Sequence, residues 1–184
     1  MIFIMHLKEG GYLVVDMKKF SILIADHSRH LSILIFPLLI VSIGIYLMVV
    51  YKVGHFELIP SLFMGGFVFI LYVVPMIVLH IQYYLLNRND TFEYDCSIGK
   101  MIFRRKGKQI CFEDHEILKI TVFKTRTLAE NRTPIFLWDY YNYSVIELKS
   151  GEVIKLSSLL VNEIDKVLNI DVFKIRKTLY PWIS

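Results

Sequence analysis

Charge is what this chain lacks over its longest stretch. Between Leu31 and Asn87 the only ionisable side chains other than tyrosine are Lys52, His55, Glu57 and His80. Cysteine is scarce as well: Cys96 and Cys111 stand alone, and His115 by itself does not complete a metal site with them. No G-x-S-x-G, P-loop, H-E-x-x-H or dinucleotide fingerprint occurs, so no familiar reaction chemistry can be read from a motif. The net charge of +4 is a modest excess without a stacking-plus-basic pattern, which argues against nucleic acid and suits an anionic membrane leaflet. No catalytic, cofactor-binding or metal-binding residue and no small-molecule substrate is expected.

The uncharged stretch resolves into two segments. Leu31 to Tyr51 holds 21 residues without a charge, about 31 Å of helix, which matches a hydrocarbon core of about 30 Å. Its five Leu, five Ile, three Val and one Phe favour insertion by roughly 4–8 kcal/mol. Leu58 to Asn87 carries no Lys, Arg, Asp or Glu. It is longer than a bilayer needs, so it tilts or extends into the cytosol. Pro75 predicts a kink in it, while Gly65-Gly66 and Gly44 offer small surfaces for close helix approach. The competing reading is a pair of buried core helices. Lys8, Lys18, Lys19 and Arg29 precede the first segment, Arg88 and five more basic residues to Lys108 follow the second, and the connection has only Lys52. The positive-inside rule then sets both termini in the cytosol, as for a multi-pass protein of the cell inner membrane.

Residues 1–30 read as a cytosolic or interfacial lead, 31–87 as a transmembrane hairpin and 88–184 as a cytosolic domain. Met17-Lys-Lys resembles a natural start, so residues 1–16 read as an upstream extension. FSILIADHSRH lies along the interface or adds a strand to the domain. His27 and His30, spaced i and i+3, are a metal pair or an interfacial turn, and His80 is placed to reach the interface.

Beyond Asp90 the pattern alternates. Phe92, Tyr94 and Cys96 interleave with Glu93, Asp95 and Ser97, a half-buried strand. Turns follow at Ile98-Gly99-Lys100, Lys106-Gly107 and Asp114-His115-Glu116, between strands MIFRR, Lys108–Glu113 and Ile117–Lys124. Both cysteines are expected reduced and half-buried in strands. After a polar loop over Thr125–Pro134, FLWDYYNYSVIEL reads as one long aromatic strand. Trp138 and Tyr140 would then share one face, Tyr141 and Tyr143 the other, with one set free to bind. Lys149-Ser150-Gly151 turns the chain into EVIKLSS, and Leu160, Ile164, Val167 and Leu168 predict a helix, with Ser158 or Asn162 as N-cap. Asp171 would cap a second helical turn, DVFKIRKTLY. The sequons Asn131-Arg-Thr133 and Asn142-Tyr-Ser144 would face the cytosol and stay unglycosylated.

The segments FEYDCSIGKMIFRRKGKQICFEDHEILKITVF and YSVIELKSGEVIKLSSLL resemble the bacterial pleckstrin-homology-like domain of the kind fused to paired transmembrane helices. The likeness runs from Asp90 to Leu179. It implies a strongly bent antiparallel sheet capped by a C-terminal helix, hence an α+β membrane protein, and it implies no catalytic residues. The function expected is a membrane-anchored interaction module for a protein partner or a second copy. The alternatives are anionic-lipid recognition by basic turns and an accessory subunit of a membrane enzyme or transporter. If the first strand leads away from the membrane, the turn Arg104, Arg105, Lys106 and Lys108 and the loop with Arg126 and Arg132 face the lipid. A solvated hairpin with gatekeeping charges is the competing reading of that turn.

Overall fold

The computed structural model describes residues 3–4, 14–15, 17–51, 55–168 and 172–183. Lys8, Lys52 and Asp171 lie outside them, as does all of the expected extension over 1–16 except Phe3–Ile4 and Val14–Val15, which pair as a two-residue ladder.

Strand β1 (Met17–Ser21) is followed by helix α1 (Ile24–Leu31), a 3-10 turn over Ser32–Leu34, and helices α2 (Ile35–Val50) and α3 (His55–Asn87). Strands β2 (Thr91–Asp95), β3 (Lys100–Arg105), β4 (Lys108–Glu113) and β5 (Ile117–Thr125) come next. A single helical turn, α4 (Arg126–Ala129), then a 3-10 turn over Leu137–Tyr140 lead to β6 (Asn142–Leu148) and β7 (Val153–Ser157). The chain ends in one more helical turn, α5 (Ile164–Val167), and β8 (Phe173–Thr178). These strands form two four-stranded sheets, ordered β1-β2-β3-β4 and β8-β5-β6-β7. All neighbours are antiparallel except β8, which runs parallel to β5.

Two apolar clusters hold the sheets. Phe92, Met101, Phe103 and Phe112 of the first sheet meet Ile120, Val122, Ile146 and Leu156 of the second, and Leu160, Ile164 and Leu168 close the end of that core. On the outer face of the second sheet, Tyr141 and Tyr143 pack with Trp138 and Leu159 against Met76, Leu79 and Tyr83 of α3. β6 is therefore buried on both faces, which erases the polar alternation of a one-sided strand.

Several expectations change. Of the two readings of the lead, the added strand is the one found, shifted to Met17–Ser21: β1 pairs with β2 from Met17 opposite Asp95 to Ser21 opposite Thr91. That makes β2 an interior strand, and Glu93 and Asp95 are buried where exposure was expected. Glu93 is satisfied by Lys19 at 3.3 Å and Arg104 at 2.8 Å, one from each neighbouring strand. The C-terminal helix shrinks to Ile164–Val167, entered through Glu163 at a left-handed φ of 52°. Ser158 does not cap it; its hydroxyl lies 3.3 Å from His30 Nε2. The segment read as a second helical turn is β8, whose pairing fills the open edge of β5. The long aromatic strand is interrupted at Leu137–Tyr140. Both cysteines are exposed, Cys96 in the turn after β2 and Cys111 on edge strand β4, paired with Ile102. α3 runs through Pro60 and Pro75 without a break. Among the described residues, a side chain at Gly44, Gly65 or Gly66 would meet nothing within 4 Å, so no glycine-mediated helix contact is seen there.

Candidate functional site

α3 serves as a ruler for the domain. Its 33 residues measure about 50 Å. In the first part Phe63, Phe67 and Ile70 are exposed; beyond Pro75, Met76, Leu79 and Tyr83 are fully buried against the sheet. Ile77, Ile81 and Leu85 on the opposite face stay exposed. Contacts fix the height of each domain element along the helix. Tyr72 meets Phe136 at 5.9 Å between ring centroids, and the Tyr180 hydroxyl donates to the Pro75 carbonyl at 2.6 Å. His80 meets the Tyr141 hydroxyl at 2.8 Å, and Tyr83 packs edge-on against Tyr143. Asn87, fully buried, accepts from Ser157 N at 2.8 Å and donates to Asp90 and to the Lys155 carbonyl. The 125–140 loop and the 179–183 tail thus lie level with Tyr72 and Pro75, and the β2 end of the domain is about 22 Å of helix further on.

Two polar assemblies sit along this ruler. At the middle, His27 Nδ1 lies 2.9 Å from His80 Nε2, and His80 Nδ1 continues to Tyr141. Neutral rings can pass one donor along this chain in either direction. Burial raises the Tyr141 hydroxyl well above the ordinary tyrosine range, with nearby Tyr180 adding to it, so it stays protonated. His80 is buried between His27 and Tyr141. His30 turns to the Asp26 carbonyl and Ser158 instead of joining His27, and no cluster of three or more metal-ligating side chains occurs among the described residues.

Near Tyr72 the chain builds a pocket of about 690 Å³. Thr125 ends β5 and accepts the Leu128 N–H, starting α4. Pro134 follows, and buried Asp139 then accepts the Ile135 and Phe136 N–H groups at 2.8 and 2.9 Å, which fixes the return of the loop. Lys177, Thr178 and Leu179 supply the opposite wall from β8. Arg126, Arg132 and Lys177 converge on Glu130, at 3.1, 2.9 and 3.0 Å. Hydrogen bonds from Lys177 and Arg126 hold the Glu130 carboxyl below the usual range. Thr127, Thr133 and Thr178 add hydroxyls, and Ile135 and Phe136 form an apolar wall. Glu130 gathers three cations and cancels one of them.

The site expected from the sequence is divided by this geometry. Arg126 and Arg132 line the pocket. Arg104 is paired with Glu93, Arg105 grips Asp90 through Nε and Nη2 and reaches the Leu86 carbonyl, and Lys108 is paired with Glu152. Lys106 stays exposed in its turn. This basic turn sits at the C-terminal end of α3, not level with Tyr72, since Arg105 bonds to Asp90 and Leu86. Trp138, Tyr141 and Tyr143 are buried together and Tyr140 alone is exposed, so the run offers no exposed aromatic face. The 3-10 turn rotates Trp138 away from the face it would share with Tyr140. Lys177, Glu130 and Asp139 were missed. The signal for Lys177 was the alternating, β-branched FKIRKT, which reads equally as helix until an open strand edge is available to it.

The pattern that defines the PH domain matches residues 22–166, taking in both long apolar helices as well as seven-tenths or more of the chain. The chain belongs to the PH domain family. No curated protein and no solved structure matches it. PH domains are in general non-catalytic interaction modules that bind lipids or proteins.

Proposed function

We propose that this protein is a non-catalytic, membrane-anchored PH-like module, as in the bacterial proteins it resembles, whose 31–87 hairpin fixes an 88–184 domain at the inner leaflet for a protein partner. The observation that carries this reading is α3 itself. Two helices are long and apolar enough to cross a membrane, and α3 continues from an exposed apolar half into a half packed on the sheet. The domain is therefore held at a set height and rotation and does not swing on a tether. Residues 17–21 extend the domain, since β1 is one of its strands.

The native cysteines provide the test. Cys96 and Cys111 are both exposed on the domain. With both ends cytosolic, a membrane-impermeant maleimide labels them only after intact cells are opened, and the chain stays in carbonate-washed membranes. Labelling of intact cells would overturn the orientation, and release by carbonate would overturn the anchor. Recognition of anionic lipid headgroups is the second reading, favoured by the cation-lined pocket level with Tyr72.

A further inference from the structure

Helix α1 is held to the rest of the fold by imidazoles. His27 Nδ1 lies 2.9 Å from His80 Nε2 on α3, and its ring meets Tyr84 at 5.2 Å between centroids. Three residues on, buried His30 meets the Tyr141 ring at 4.8 Å, and its Nε2 lies 3.3 Å from the Ser158 hydroxyl. Proton positions follow from the acceptors. The Asp26 carbonyl can only accept, so His30 carries its proton on Nδ1 and Nε2 accepts from Ser158. The Tyr141 hydroxyl is buried, and His80 Nδ1 is its only hydrogen-bond partner among the described residues, so the arrangement that satisfies it has it donating there. His80 then donates from Nε2 to His27 Nδ1, and His27 keeps its proton on Nε2. All three rings are neutral in this arrangement. A further proton would set two hydrogens against each other, between His27 and His80, between His80 and Tyr141, or between His30 and Ser158. Reversing the chain to admit one strands the Tyr141 hydroxyl without an acceptor. No counter-charge faces the rings either. The Asp26 carboxylate is taken by Arg29 and the Leu23 N–H. Tyr84 beside His27, and Tyr83, Tyr143 and Tyr180 around Tyr141, are neutral, and Arg29 adds a cation.

We propose that α1 is an acid-released clip, docked on α3 and on the Tyr141–Ser158 side of the second sheet while His27, His30 and His80 are uncharged, and freed when they take up protons. Once released, the rings titrate in the ordinary imidazole range near pH 6.5. The docked form binds fewer protons than the released one, so it is favoured above that range and lost as pH falls below it. A hollow of about 250 Å³ lined by Arg29, His30, Ser32, Ile33 and Tyr140 gives water a route to His30. Little else holds the helix. Of α1, Leu31 alone packs on the apolar cluster among the described residues, while Ile24 is 88% exposed. Because α1 joins β1 to α2, its release loosens α2 from the domain, whereas α3 keeps its own packing through Met76, Leu79 and Tyr83. The clip works whether or not α2 and α3 span a bilayer, so its failure leaves the anchor reading untouched.

The test follows amide hydrogen exchange of the full chain in neutral detergent from about pH 7.5 to about pH 5, corrected for the intrinsic pH dependence of exchange. Protection over α1 should fall by about tenfold per pH unit for each proton taken up, while β3 keeps its own. NMR ring signals assigned to His27 and His80 should titrate with the same midpoint. The His27→Gln/His30→Gln/His80→Gln variant offers side-chain amides in place of the titrating rings and should stay protected throughout. His115→Gln, at an exposed position, should behave as the parent chain. Protection of α1 that persists to the acid end, or that is lost at a midpoint away from the ring titration, overturns the proposal. A triple variant protected at neutral pH that still loses protection in acid overturns it as well. Where the triple variant is unprotected even at neutral pH, coincidence of the two midpoints in the parent chain decides.

Discussion

Asn87 is the residue on which attachment of helix to sheet depends most directly. Its carboxamide is used in full at the end of α3, accepting from β7 and donating to Asp90, which in turn holds Arg105. Asn87→Ala leaves the Ser157 N–H and the Asp90 carboxylate short of partners in a buried place. It should cost about 1–3 kcal/mol for the group left unsatisfied, measured by denaturant unfolding of the full chain. Lys124 and Asp165 form the most enclosed ion pair among the described residues, at 2.7 Å with the lysine 5% exposed. Lys124→Met strands the carboxylate and should destabilise by about 3 kcal/mol, whereas the Lys124→Met/Asp165→Leu pair should recover much of that loss. Glu130 gives a pH effect of known sign. Its folded pKa lies below the unfolded one, so its contribution is present above the ordinary carboxylate range and disappears as pH falls through the depressed folded value. Titration of the Glu130 carboxyl by NMR should give a midpoint below that of free glutamate; a midpoint at or above it would remove the three-cation cluster as a working unit.

At the level of elements, each strand was legible from sequence according to how near along the chain its partner lies. β3 and β4, joined by Lys106-Gly107, and the β6–β7 turn at Lys149-Ser150-Gly151 are local hairpins, and their alternation and glycines marked them. Gly99 shows how strict such a mark can be: its φ is +64°, and a Cβ there would lie 2.6 Å from the Asp114 carboxylate. β1 and β8 are held by partners far along the chain, β1 across both apolar helices, so nothing local distinguished them from an interfacial segment and a helix. The same holds for the pocket. Its arginines were visible as a basic loop, but Lys177 reaches it only because β8 is laid beside β5. The aromatic run was misread for a different reason. Three of its four rings are buried against α3, a surface that a strand pattern cannot announce. Tyr143 stacks on Phe123 at 4.4 Å while meeting Tyr83 edge-on. Tyr143→Ala should therefore cost about 3–5 kcal/mol, a core-sized penalty, while Tyr140→Ala should stay within about 0.5 kcal/mol.

In the whole molecule, the sheet sandwich, the loop pocket and the C-terminal tail are all referred to one helix. Tyr180, Pro181 and Ile183 bond to Pro75, Tyr83 and Gln82, so the tail is clamped to α3 independently of the loop beside it. Inserting four residues between Gly66 and Phe67 would turn the domain by about 40° and shift it by about 6 Å along the helix axis. The unfolding free energy of the domain should stay close to that of the parent chain, because the half of α3 packed on the sheet beyond Pro75 is untouched. If α3 is shared between bilayer and sheet, as proposed, the protein is also a lever. Where the bilayer is thinner the spanning half must lean, and a lean of about 10° would carry the Asn87 end sideways by roughly 4 Å for the 22 Å of helix below Tyr72. The domain would move with it as one body, so local membrane thickness would be translated into the angle at which the sheets meet the cytosol.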